Sequence, residues 1–224
     1  MKINKVSNLN GIITVPADKS ITHRSIMLSS LAIGKSYIRN YLKSDDCLMT
    51  MNAFKQMGVN IEQKEDSLTI IGAGINGLKN PVKEIYAGNS GTTTRLLSGV
   101  LAGQNFSSTI TGDESLSKRP MKRVIEPLSL MGADIKAKEN NFLPMTINTT
   151  RNLKPINYVS PVASAQVKSC ILFAGLYADG TTSVTEPIKS RDHSERMFKT
   201  FGADISVDNL TVSINIVINY MHRK

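Results

Sequence analysis

A glycine-opened, β-rich segment recurs three times along the chain, and this repeat restricts the fold more than any other feature. The copies QMGVNIEQKEDSLTIIG, LMGADIKAKENNFLPMTI and TFGADISVDNLTVSI begin at Gln56, Leu130 and Thr200. In each, glycine closes a helix-like stretch and opens two β-rich runs, which predicts a helix, a glycine C-terminal cap and a hairpin. Helical spacing precedes each copy: Leu48, Met51, Phe54, Met57; then Met121, Val124, Ile125, Leu128, Met131; then His193, Met197, Phe198, Phe201. Such stripes read as core-facing. Pro127 falls inside the second and predicts a kink.

The repeat extends further upstream. Short strands KSYIRNY, SSTITG and TTSVTE precede the amphipathic helices. Before each strand lies another helix, spanning Ile26 to Ile33, Leu96 to Ala102 and Val167 to Ala178. These three are apolar or small nearly all round, the pattern of helices buried on every side, and Gly34, Gly103 and Gly180 follow them. GIITV, EIYAG and INYVS supply a strand ahead of each. The expected fold is α/β: three pseudo-symmetric β-α-β-α-β-β units over about 11–72, 84–148 and 156–214, with buried central helices and sheets outside.

The 224 residues carry 27 Lys+Arg against 18 Asp+Glu, a net charge of +9 that favours anionic partners. Nucleic-acid binders concentrate basic residues and interleave exposed aromatics, whereas here the charges are dispersed and aromatics are 5%. A nucleic-acid function is therefore not expected. No apolar run has the length of a membrane span, the first residues lack a signal-peptide core, and Cys47 and Cys170 lack metal-ligand spacing. A cytoplasmic enzyme is the simplest expectation. Walker, Rossmann and zinc patterns are missing; GAGING at Gly72 to Gly77 precedes a poor helix and is discounted as a nucleotide site.

The starts of the buried helices, PADKSITHR, AGNSGTTTR and SPVASAQVK, are where chemistry is expected. Each opens on small or hydroxyl residues and carries a cation four residues on: Ser20 and Arg24, Gly91 and Arg95, Ser164 and Lys168. Free N–H groups and the helix dipole favour anions there. Three such ends meeting on a pseudo-threefold axis would form a basic bowl. Ser20, Ser90 and Ser164 also suit plain N-caps, each worth about 1 kcal/mol. Buried arginines need partners, either carboxylates such as Asp45 and Asp46 or an anionic ligand. Arg119 and Arg191 occupy equivalent strand-to-helix corners of the second and third units, and His193 is a candidate acid/base group beside Arg191.

PADKSITHR, GNSGTTTR, GDESLSKRPM and SAQ followed by KSRDH, in this order, resemble the motifs of the 5-enolpyruvylshikimate-3-phosphate synthase family over nearly the whole chain. The resemblance implies transfer of the enolpyruvyl group of phosphoenolpyruvate to shikimate 3-phosphate, a step of aromatic amino acid biosynthesis, without cofactor or metal. It implies Lys19 as the catalytic residue contacting both substrates. Shikimate 3-phosphate would meet Ser20, Arg24, Ser164, Ala165, Gln166 and Arg191; phosphoenolpyruvate, or the herbicide glyphosate, would meet Gly91, Arg119 and Gln166. Asn89, Thr92, Arg95 and Asp46 would support them. Ala165 stands where many members have a second serine. The family is about twice as long, so this chain is expected to be an N-terminal half, inactive alone. Its partner would be the missing C-terminal half, and the whole enzyme a monomer without nucleic-acid or membrane partners. Residues 1–15 would be a strand that packs in the other domain, 16–214 the domain itself and 215–224 a tail. Two alternatives are a binding-only half and a relative acting on UDP-N-acetylglucosamine; the latter family has Lys-Asn where this chain has Lys19-Ser20.

Overall fold

The computed structural model describes residues 7, 8, 10–149 and 152–215. The first unit comprises α1 (Lys19–Leu31), β1 (Ile33–Arg39), α2 (Asp45–Gln56), β2 (Asn60–Gln63) and β3 (Ser67–Ala73). The second comprises β4 (Ile85–Tyr86), α3 (Gly91–Ala102), β5 (Ser108–Thr111), α4 (Glu114–Ser117), α5 (Lys122–Leu130), β6 (Ile135–Lys138) and β7 (Phe142–Ile147). The third comprises β8 (Asn157–Val159), α6 (Ala165–Gly175), β9 (Thr182–Thr185), α7 (His193–Thr200), β10 (Asp204–Asp208) and β11 (Thr211–Asn215).

Each unit folds onto its own sheet, with strand orders β1-β3-β2, β4-β5-β7-β6 and β8-β9-β11-β10. The opening strand pairs parallel in the second and third sheets and every other ladder is antiparallel. Alternation buries Leu68 and Ile70, Met145 and Ile147, and Val212 and Ile214 on the inner faces. The expected strand GIITV is not a strand here. Ile12 and Ile13 are 102% and 84% exposed, and among the described residues the first sheet ends at β1, with nothing paired where β4 and β8 stand in the others. Of the expected segment 1–15, residues 1–6 and 9 lie outside the described residues, as do residues 216–224 of the expected tail.

The repeated glycine cap is present in all three units. Gly58, Gly132 and Gly202 take φ of +86°, +94° and +86°. The next residue then donates back to the residue five before it: Val59 to Phe54, Ala133 to Leu128 and Ala203 to Phe198, each at 3.0 Å. This closes each helix and aims the hairpin across it. Inside, α1, α3 and α6 form the shared core. An added Cβ at Gly99 would lie 2.1 Å from the Cys170 carbonyl oxygen, so only glycine permits that approach of α3 to α6. Helix α5 continues through Pro127.

Candidate functional site

The N-termini of α1, α3 and α6 converge on a cleft of about 480 Å³, with Ser20, Arg24, Thr92, Ser164, Gln166 and Arg191 among its walls. A second cleft of about 250 Å³ lies across Ser164 and Gln166 and is bounded by Arg95, Pro120 and Arg123. Side-chain caps set these helix starts. Ser90 Oγ accepts from Thr93 N–H and Ser164 Oγ from Val167 N–H, as expected. The cap of α1 is Asp18, not Ser20: its Oδ1 accepts from Ile21 N–H at 2.8 Å. An acidic cap satisfies the same donors with a full charge, and it leaves the Ser20 hydroxyl facing the cleft.

Arg24 is 3% exposed. Its Nε donates to Ser194 Oγ at 2.7 Å, Nη2 to Ser169 Oγ at 2.7 Å and Nη1 to the Ser20 carbonyl at 3.0 Å. Burial pulls its pKa down to about 10, against the pull of the Glu195 charge. Arg95 donates from Nη1 to Gln166 Oε1 at 3.1 Å and from Nη2 to the Pro120 carbonyl at 3.4 Å. Its pKa is lowered by burial, then by Arg119 and Arg123. Among the described residues neither arginine forms a salt bridge. Asp46, expected as a carboxylate for one of them, pairs instead with Lys19 at 2.9 Å, and that hydrogen bond raises the ammonium pKa. Lys168 breaks the expected threefold pattern. It is 2% exposed and bound by Glu186 at 2.7 Å and Glu195 at 2.6 Å, so its charge is spent inside the protein.

The remaining expected residues fall on three walls. Gln166 bridges helices, its Nε2 donating to Thr92 Oγ1 at 2.9 Å. Arg119 reaches back to the start of α3, donating to the Asn89 carbonyl at 3.3 Å and to Asn89 Oδ1, while Asn89 Nδ2 donates to Asp113. An added Cβ on Gly91 would lie 2.8 Å from Arg95 Nη1 and 3.6 Å from Arg119 Nη1, so the bare helix start faces both guanidinium groups. Arg191 donates to Ser20 Oγ at 3.2 Å, joining the third unit to the first. Ala165 offers its carbonyl to Arg24 at 3.4 Å. His193 lines the larger cleft. Lys19 is not among the residues of its walls; its ammonium lies against Asp46 and within the field of Arg119.

Three sets of residues were not anticipated from sequence: the hydroxyls Ser169 and Ser194 on Arg24, the carboxylates Glu186 and Glu195 on Lys168, and a buried chain behind Ser90. In that chain His23 Nδ1 meets Thr50 Oγ1 at 2.7 Å, Thr50 meets Thr93 Oγ1 at 2.7 Å, and Thr93 donates to Ser90 Oγ at 2.7 Å. Burial lowers the His23 pKa to about 4. The carboxylates had a sequence signal: a lysine in an apolar helix requires acidic partners, and Glu186 and Glu195 are acidic residues of the same unit.

Comparison with known proteins identifies the family of this fold. The model of the family EPSP synthase (3-phosphoshikimate 1-carboxyvinyltransferase) matches residues 3–217. A relative from Endomicrobium trichonymphae named 3-phosphoshikimate 1-carboxyvinyltransferase is 58% identical over 216 residues, 96% of this chain and 50% of its own length. The protein of the same name from Bacillus subtilis is 53% identical over 215 residues, again 50% of its length. The solved EPSP synthase from Acinetobacter baumannii superimposes with a TM-score of 0.91 at 49% identity, over 94% of this chain and 48% of that one. The chain spans about half the length of the curated relatives it matches. With the family's model matching almost the whole chain and a solved member sharing its fold, the chain belongs to the EPSP synthase family.

Proposed function

We propose that this chain forms the shikimate 3-phosphate side of an enolpyruvyl transferase site and one wall of its phosphoenolpyruvate side. One observation carries the reading: Arg24 and Arg95 sit at converging helix starts, bonded to hydroxyls, carbonyls and an amide, and among the described residues neither forms a salt bridge. Such cations favour an anionic ligand. Ser20, Arg24, Ser164 and Arg191 suit the phosphate of shikimate 3-phosphate; Gly91 and Arg119, with Gln166 between, suit phosphoenolpyruvate. The chain bears no lysine-asparagine pair at Lys19-Ser20, which favours this acceptor over a UDP-linked sugar.

In the reaction the acceptor hydroxyl loses its proton and adds to the central carbon of phosphoenolpyruvate as the methylene takes a proton; the tetrahedral adduct then loses phosphate and a methyl proton, which restores the double bond. Lys19, held protonated by Asp46 and within the field of Arg119, offsets the charge of the bound anions once the substrates are in place. The second half of the enzyme supplies the carboxylates for proton transfer, so the isolated chain binds without turnover. A cytoplasmic, monomeric whole enzyme belongs to the same reading. Calorimetric titration with shikimate 3-phosphate tests it: Arg24→Ala should weaken binding by about 1.5–3 kcal/mol, since it removes charge-assisted hydrogen bonds. Equal affinity in the two proteins would refute the assignment, and phosphate release from both substrates by this chain alone would refute its inactivity.

A further inference from the structure

Glu186 lies just beyond β9, is 3% exposed, and makes more contacts than neutralising Lys168 requires. One oxygen, Oε1, accepts from the Ser164 backbone N–H at 3.0 Å. The other, Oε2, accepts from Lys168 at 2.7 Å, from Ser190 Oγ at 2.9 Å and from Ser190 N–H at 3.4 Å. Burial pushes its carboxyl pKa up, but Lys168 and the Ser190 hydroxyl outweigh it, so the carboxylate form is favoured. Ser164, which opens α6, and Ser190, which immediately precedes Arg191, come from separate segments that both line the larger cleft. One buried carboxylate therefore ties both segments together.

The second unit repeats the device with different atoms. Asp113 lies just beyond β5; its Oδ1 accepts from Leu116 N–H at 2.7 Å and its Oδ2 from Asn89 at 2.9 Å. Asn89 precedes the cap of α3 and accepts from Arg119. In both units a carboxylate following the middle strand links the start of the buried helix to the arginine of the next corner. A charge placed only to balance Lys168 would not need two backbone N–H groups and a hydroxyl from the cleft walls.

We propose that Glu186 is a positioning residue that sets the spacing between Ser164 and Arg191 and thereby shapes the subsite for the phosphate group of the acceptor. It acts through these neighbours and touches no substrate. The phosphate assignment rests on the proposed function; the clamp does not. Replacing one carboxylate oxygen by NH₂ in Glu186→Gln puts a donor where Ser164 or Ser190 presently donates, so one wall must release.

Two readouts on this chain decide the matter. Amide hydrogen exchange at Ser164 and Ser190 should accelerate on the order of tenfold in Glu186→Gln, reflecting loss of a hydrogen bond of ordinary strength. Unchanged exchange at both would overturn the clamp. Calorimetry with shikimate 3-phosphate and with shikimate should show that Glu186→Gln lowers affinity for the phosphorylated compound about tenfold while shikimate binding holds. An equal loss for both ligands would mean general destabilisation and would overturn the phosphate-subsite role. If Glu186→Gln does not fold, Ser190→Ala, which removes one bond to the carboxylate, should show the same selectivity at reduced size; no selectivity there overturns the proposal. A wild-type chain that binds neither compound would refute the functional reading, with the exchange measurement still deciding the clamp.

Discussion

The starts of α1 and α3 differ from the start of α6 in what surrounds an equivalent cation. Arg24 and Arg95 meet hydroxyls, carbonyls and an amide, whereas Lys168 meets two carboxylates. The sequence spacing is identical, four residues after Ser20, Gly91 and Ser164. Spacing therefore places a charge, while the loops packed over it decide whether that charge remains available. In the third unit Glu186 and Glu195 consume it and the helix start offers hydrogen bonds instead. The first two units therefore present their helix cations to the bowl, while the third presents Arg191 from its following corner instead.

The strongest way to break the comparison is to remove Lys168. Lys168→Met leaves Glu186 and Glu195 buried at 3% and 7% exposure with their shared cation gone. Stranding one side of a buried pair costs about 3–5 kcal/mol of folding stability. Arg24→Ala should cost less, because Ser169 and Ser194, the hydroxyls it leaves, already bond each other at 2.6 Å. Urea unfolding of the two variants measures the contrast, and Lys168→Met combined with Glu195→Gln should recover part of the loss. A smaller cost for Lys168→Met than for Arg24→Ala would show that the carboxylates do not need their lysine.

Acid sensitivity should also divide the units, because the residue before each cation is His23, Thr94 and Val167 in turn. His23 faces Thr50 and lies in the fields of Asp46, Arg24 and Lys19, and burial holds its pKa at about 4 rather than 6.5. Between those values the unfolded chain binds a proton that the folded chain refuses, so stability falls as pH drops from 6.5 to about 4. The shift corresponds to about 3 kcal/mol. His23→Gln, which cannot titrate, should lose correspondingly less stability across this window in denaturant titrations at several pH values. Parallel curves for the two proteins would place the acid-labile group elsewhere.

Much of this is legible in the sequence. The glycine caps at Gly58, Gly132 and Gly202 could be located because helix closure in the left-handed region demands glycine, a strictly local requirement. The central helices showed through their unbroken apolar character, and the cations through their spacing. What stayed hidden depends on contacts distant in sequence. Arg24 bonds Ser194 across 170 residues, and Asp46 turns to Lys19 rather than to an arginine. The segment GIITV has strand-like residues, yet among the described residues it pairs with no strand, and propensity alone does not make a ladder. Asp18 took the cap expected of Ser20 because either side chain can serve, and only geometry chooses.

The smallest expected effect concerns the one helix start of the three that lacks a side chain. Ser20 and Ser164 bear one at the position where the second unit has Gly91, so Gly91→Ala makes the units more alike. The new Cβ would sit 2.8 Å from Arg95 Nη1, the mobile end of a long side chain, which can swing away without disturbing the backbone. Folding stability should therefore change by less than about 0.5 kcal/mol, as for substitutions outside a packed core. The same nitrogen, however, holds Gln166 Oε1 at 3.1 Å. Displacing it frees Gln166 from one of its two supports and moves a cation away from the cleft. That should weaken phosphoenolpyruvate binding in the whole enzyme with shikimate 3-phosphate present by about 1 kcal/mol, the strength of one hydrogen bond. Glyphosate, which is longer, should be weakened more. Titration of both ligands against wild type and Gly91→Ala measures the difference. Equal losses for the two ligands would mean that the Cβ acts only through Arg95, and no loss for either would remove Gly91 from the anion site.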